Sequence, residues 1–182
     1  MVRTGSSCGA SCAKAAVVAL GNPYRGDDGV GPALLRALRS VTREPLPVTG
    51  NPMDHGSLIT DHGLRVTEYD LLESAHGGLP LAQALVDYQR VLIVDAAPWL
   101  PPGEVKRFPL EELSATVGYF HGLGFRAALE MVAHAGGEEV PEVEILAIGI
   151  PEDPRFGEGL SPVVERALPL ALKEAIEWLR KG

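Results

Sequence analysis

The chain has 182 residues, a formal net charge of −8 and 46% hydrophobic residues, enough for one domain with a sizeable core. The acidic balance argues against nucleic acid or an anionic membrane as the main partner, since both need basic patches. No apolar run approaches the ~20 residues that span a bilayer. No signal-peptide core follows Arg3 and Lys14, so a cytoplasmic location is expected.

Residues 1–15 are rich in Gly and Ser and read as a flexible tail. Cys8 and Cys12 lie there; two ligands make no closed metal site, and they read as bystanders. Residues 16–182 read as a single α/β domain. Ala16 to Leu20 is an apolar run stopped by Gly21-Asn22-Pro23, the signature of a buried strand. An acidic turn, Gly26-Asp27-Asp28-Gly29, follows, and a helical pattern runs from about Val30 to Val41. From Arg43 to Gly63, Pro45, Pro47, Gly50, Pro52 and Gly56 break any periodicity. So long a loop is more often functional than idle, and its His55 and His62 suit contact with a partner. Leu64 to Tyr69 alternates weakly, as a strand with one wetter face. Leu79, Ala82, Leu85 and Val86 then fall at helical spacing after Gly77-Gly78.

Val91-Leu92-Ile93-Val94, closed by Asp95, suits a central parallel strand covered on both faces. A Pro-rich exit leads to a short edge strand at Val105 to Phe108. His121 to Ala135 reads as a helix whose apolar side is Leu123, Ala127, Ala128, Met131 and Val132. Val143 to Gly149 is another buried strand. Ser161 is a good N-cap for the last helix, with Pro162 in its first turn. That helix carries a long apolar face through Val164, Leu168, Ala171, Leu172, Ala175, Ile176 and Leu179. Strands alternating with helices predict a three-layer α/β fold. Its twisted, mostly parallel sheet has about five strands, with helices on both faces.

Parallel strands point their carboxyl ends to one edge, where ligands sit in such sheets. Asp28 follows the first strand, Asp95 ends the central one, and His121 opens a helix that starts near the same edge. Two carboxylates and an imidazole suit a divalent metal and leave positions open for substrate or water. Each residue also has a plainer reading. Asp28 and Asp27 are both placed to cap a helix, which does not exclude ligation by Asp28. Asp95 costs burial unless partnered, which favours function. His121 alone is as readily structural or solvated. His55, His62, His76 and His134 read as ordinary, His76 least securely because it adjoins Gly77-Gly78.

The pattern Gly21-Asn22-x-x-x-x-Asp27-Asp28-Gly29-x-Gly31 resembles the opening motif of the [NiFe]-hydrogenase maturation endopeptidases. Three more matches follow in order: Leu92-Ile93-Val94-Asp95-Ala96, His121-Gly122-Leu123-Gly124, and Gly149-Ile150-Pro151-Glu152 with Gly159-Leu160-Ser161-Pro162. The likeness runs from about Val17 to Leu179. The tail through about Ala15 has no counterpart, the Arg43–Gly63 loop is longer than usual, and Tyr119-Phe120 replace polar or Pro residues.

The resemblance implies an endopeptidase that removes the C-terminal extension from the nickel-loaded precursor of a [NiFe]-hydrogenase large subunit. It implies that Asp28, Asp95 and His121 are the metal ligands and carry the catalysis. The nickel would arrive with the substrate, so a metal-free resting enzyme is compatible with it. The metal, or a carboxylate acting through water, would activate attack on the scissile carbonyl. Two alternatives stand beside this: a module that binds the precursor or senses its nickel without cutting, and a peptidyl-tRNA hydrolase-like enzyme. The latter also has Gly-Asn-Pro after a strand, but it wants an Arg-His-Asn segment soon afterwards and a basic channel; here Gly26-Asp27-Asp28-Gly29 takes that place and the chain is acidic.

Overall fold

The computed structural model describes residues 15–41, 54–56, 69–112, 122–152 and 157–181. Residues 1–14 of the proposed tail, with Cys8 and Cys12, and His62 and His121 lie outside them, while Ala15, read as the end of the tail, is buried in the first strand. Strand β1 (Ala15–Leu20) leads through a 3-10 turn (Gly26–Gly29) into helix α1 (Val30–Val41). Then come β2 (Asp54–Gly56), β3 (Tyr69–Ser74), α2 (Gly78–Leu85), β4 (Arg90–Ala97) and β5 (Val105–Pro109). Helix α3 (Gly122–Gly136), β6 (Glu142–Gly149) and α4 (Pro162–Arg180) complete the order.

Among the described residues the sheet is six-stranded, in the order β2-β3-β1-β4-β6-β5. Its four inner strands are parallel, and β2 and β5 are antiparallel edges. The predicted α/β class and mostly parallel sheet hold. The strand beyond the expected five is β2, three residues inside the segment read as loop. The strand read at Leu64 to Tyr69 is found at Tyr69–Ser74, and residues 64–68 lie outside the described set. Tyr69, Asp70, Leu71 and Leu72 are all buried, so no alternation marks them. The polar Asp70 is accommodated by the Tyr88 hydroxyl, which donates to it at 2.6 Å.

Two apolar clusters flank the sheet. On one face Val17, Val94 and Leu146 pack with Leu34, Leu35 and Leu38 of α1 and Val164, Ala171 and Trp178 of α4. On the other, Val18, Ile93 and Ile145 pack with Leu81 and Leu85 of α2 and Phe125 and Leu129 of α3. The buried side of α3 is therefore Phe125, Leu129 and Ala133; Ala127 and Met131, expected inside, are exposed. Phe125 and Leu129 have more apolar surface to hide than the alanine, and they set the rotation of the helix. Leu79 of α2 is likewise exposed. On α4, Leu168, Leu172 and Ile176 are half-buried against the core margin.

Candidate active site

From β1 the chain passes through α1 to β3 on one side, and from β3 through α2 to β4 on the other. That change of direction opens a crevice beyond the carboxyl ends of β1 and β4, the usual ligand position in open α/β sheets. The 3-10 turn sits over it. A Cβ added at Gly31 would lie 2.3 Å from the Leu20 carbonyl oxygen and 3.1 Å from that of Val94. Only glycine lets α1 start this close to both strand ends. Gly21 makes the turn itself, with φ +120 and its Cα hydrogen facing the Asp28 carbonyl, which a Cβ would meet at 1.9 Å.

The crevice forms a cleft of about 310 Å³ lined by Asn22, Arg25, Asp28, His76, Asp95 and Phe125, among others. Asp28 and Asp95, 67 positions apart by number, are brought together. One Asp28 oxygen accepts the Asn22 backbone N–H at 3.0 Å, which orients the carboxylate. Asp95 accepts the Ala96 N–H at 2.8 Å. It lies within β4 rather than at its end, because β4 continues to Ala97. Burial pushes the Asp95 pKa from 3.8 to about 7; the Ala96 hydrogen bond opposes this, and the negative charge of Asp28 adds to it. Two carboxylates that repel each other in a half-enclosed cleft make a favourable place for a cation.

Among the described residues, no group of three or more His, Cys, Asp or Glu is arranged to hold a metal. His121 falls outside them. Helix α3 starts at the next residue, and its Phe125 lines the cleft. His76 was read as ordinary, yet it lines the cleft and is exposed, its backbone tied through Ser74. Its place beside Gly77-Gly78 was the available signal. Arg25, also on the cleft, carried no sequence signal beyond lying inside the motif.

Asp27 departs from the expected cap of its own helix. It is buried, 6% exposed, and its carboxylate accepts the backbone N–H of Ser161, the N-cap residue of α4. Ser161 accordingly caps no amide with its side chain. A 3-10 helix turns about 120° per residue, so neighbouring aspartates face different ways. Asp28 meets the cleft and Asp27 meets α4.

Among the described residues no helix is long and apolar enough to cross a membrane. No curated protein matches the chain. Solved structures share the fold. The hydrogenase maturating endopeptidase HybD from Escherichia coli is 21% identical over 92% of this chain and 93% of its own, with a TM-score of 0.64. The [NiFe] hydrogenase maturation protease HybD from Thermococcus kodakarensis is 23% identical over 91% and 99%, with a TM-score of 0.63. A [NiFe] hydrogenase maturation protease HycI from the same organism is 20% identical over 93% and 94%, with a TM-score of 0.58. A family model described as hydrogenase maturation protease (HycI) matches residues 60–178. That interval is well over half the chain and contains Asp95 and His121, while the turn bearing Asp28 precedes it. With the sheet, its switch point and this match in agreement, the chain belongs to the hydrogenase maturation protease family.

Proposed function

We propose that this protein is the endopeptidase that removes the C-terminal extension from the nickel-loaded precursor of a [NiFe]-hydrogenase large subunit, acting in the cytoplasm. One observation carries the reading: Asp28, in the turn that follows β1, and Asp95, near the carboxyl end of the adjacent parallel β4, line a single cleft at the switch point. Nickel belongs to the substrate, held by the precursor and presented to the cleft. Asp28, Asp95 and His121 complete its coordination, His121 on the strength of the family pattern. Asp95 enters this encounter partly protonated near neutral pH, since its pKa stands at about 7. It gives up the proton as a cation engages it, so recognition exchanges a proton for a metal charge. Without the metal, the two carboxylates have no cation between them, and a proton on Asp95 relieves their repulsion. Recognition thereby reports that the precursor has been loaded.

The substrate's metal would supply Lewis-acid polarisation of the scissile carbonyl, or a carboxylate acting through water would activate the attack. The chain's residues orient and enclose. The Asn22 amide fixes Asp28, the Ala96 amide fixes Asp95, and Phe125 and Leu81 give the cleft an apolar wall. The test is to mix the protein with nickel-loaded precursor and look for a released C-terminal peptide by mass spectrometry. Release by the wild type and its loss in His121→Ala is the expected result. Binding without release would leave a non-cleaving module, and unchanged cleavage by His121→Ala would remove that residue from the site.

A further inference from the structure

The two neighbouring aspartates of the 3-10 turn divide their work, and the buried one has no place in the proposed chemistry. Asp27 is 6% exposed and lines a separate recess with Gly157 and Ser161, not the cleft that Asp28 and Asp95 share. Its carboxylate accepts the N–H of Ser161, a residue 134 positions away, at the start of the nineteen-residue helix α4. A carboxylate at the positive end of a long helix is favourably placed. The same stretch of chain is stitched to the turn twice more. Gly26 N–H donates to the Gly157 carbonyl at 2.7 Å, and Gly157 N–H donates to the Tyr24 carbonyl at 3.3 Å. Arg25 and Gly157 thereby form a parallel bridge. Among these contacts, Asp27–Ser161 is the one made by a side chain within the turn, next to Asp28 along the backbone.

We propose that Asp27 is a positioning residue: by holding the Ser161 amide it sets the rotation of the Gly26–Gly29 turn about its axis, and with it the placement of the Asp28 carboxylate opposite Asp95. This rests on the reading of the cleft as the site of precursor processing. Asp27 touches neither substrate nor metal. Rotating a short 3-10 turn moves every side chain on it, whereas the Asn22 amide restrains Asp28 from one side alone. A displacement of about 1 Å at a reacting group can cost on the order of 100-fold in rate.

Two substitutions remove the contact from opposite ends. Asp27→Ala deletes the acceptor. Ser161→Pro deletes the donor from the α4 side, where φ −66 and ψ 154 already suit proline, and its ring Cδ displaces the Asp27 carboxylate from the place the amide hydrogen held. Processing of nickel-loaded precursor is followed at varied precursor concentration. Each variant is expected to lose roughly 10- to 100-fold in kcat with KM within about threefold of wild type. The double variant is expected to fall no further than the worse single, because both remove one interaction. Asp27→Asn keeps an oxygen for the Ser161 amide and should recover most of the kcat lost in Asp27→Ala. Because a smaller folded fraction would also lower the apparent kcat at constant KM, each rate is divided by the folded fraction read from circular dichroism of the same sample, and the loss is expected to persist per folded molecule. Wild-type kcat in Ser161→Pro and Asp27→Ala, multiplicative effects in the double variant, or a loss confined to KM would overturn the proposal. Should Asp27→Ala not fold, Ser161→Pro set against Asp27→Asn decides the same question. Asp28→Ala is run alongside. If it processes precursor at the wild-type rate, the reading of the cleft fails and the positioning role falls with it. If it is inactive while Asp27→Ala and Ser161→Pro keep wild-type kcat, the positioning role alone is lost.

Discussion

Replacing Asp95 by Asn should make the resting protein more stable at pH 8 while abolishing its processing of precursor. In the folded chain the Asp95 pKa stands at about 7 against an ordinary 3.8, chiefly through burial. The native state therefore holds a proton that the unfolded chain releases, and stability falls as pH rises between about 4 and 7. Above 7 the cost of keeping the ionised group folded is fully present. At ~1.4 kcal/mol for each tenfold change, the gap bounds that cost at roughly 4 kcal/mol. Water reaching the half-buried side chain, and the Asn amide's own burial, reduce the net gain to about 1–3 kcal/mol. For a chain of this length each kcal/mol moves Tm by roughly 2–4 °C. Thermal unfolding of wild type and Asp95→Asn should thus show the variant melting higher at pH 8 and the two converging near pH 4. The Asn Oδ1 can still accept the Ala96 amide, so the comparison isolates charge. A Tm difference independent of pH, or a variant less stable than wild type at pH 8, would refute the reasoning.

Gly21→Ala should cost at least about 1–3 kcal/mol, since φ +120 disfavours alanine and its Cβ would meet the Asp28 carbonyl oxygen at 1.9 Å; urea unfolding measures it, and a variant as stable as wild type would show that the turn relaxes freely. Arg107 bonds Glu144 at 2.8 Å and Glu174 at 3.2 Å, tying β5 to β6 and α4. Arg107→Ala should lose about 1–3 kcal/mol, because two partly enclosed carboxylates are left without their cation, and the loss is read by the same unfolding experiment with processing per folded molecule unchanged. Tyr88→Phe removes the 2.6 Å bond to buried Asp70 and should cost about 1–3 kcal/mol, again without effect on processing.

The features legible in the sequence are those whose cause is local. Val91 to Val94 and Ile145 to Ile148 are runs of apolar residues because those strands are covered on both faces, and both were found as read. The pairing of Asp28 with Asp95 was legible because parallel strands deliver their carboxyl ends to one edge whatever the details of packing. Features set by distant partners were not. Asp70 interrupts an apolar strand, and the hydroxyl that accommodates it lies 18 positions away. The rotation of α3 depends on where Phe125 and Leu129 find room against the sheet, so Met131 turned outward. The Asp27–Ser161 bond spans 134 positions and leaves no periodicity or motif that distinguishes it from a local cap. His76 joined the cleft through topology, since β3 ends beside β1.

Asp28 and Asp95 acting together on the metal carried by the precursor is the claim on which the rest depends. It is tested most directly by timing release of the C-terminal peptide from nickel-loaded and nickel-free precursor with wild type, Asp28→Ala and Asp95→Ala, each checked to be folded. The expected result is rapid release by wild type from loaded precursor only, and none by either variant. Equal cleavage of loaded and unloaded precursor, or wild-type rates in either variant, would contradict it.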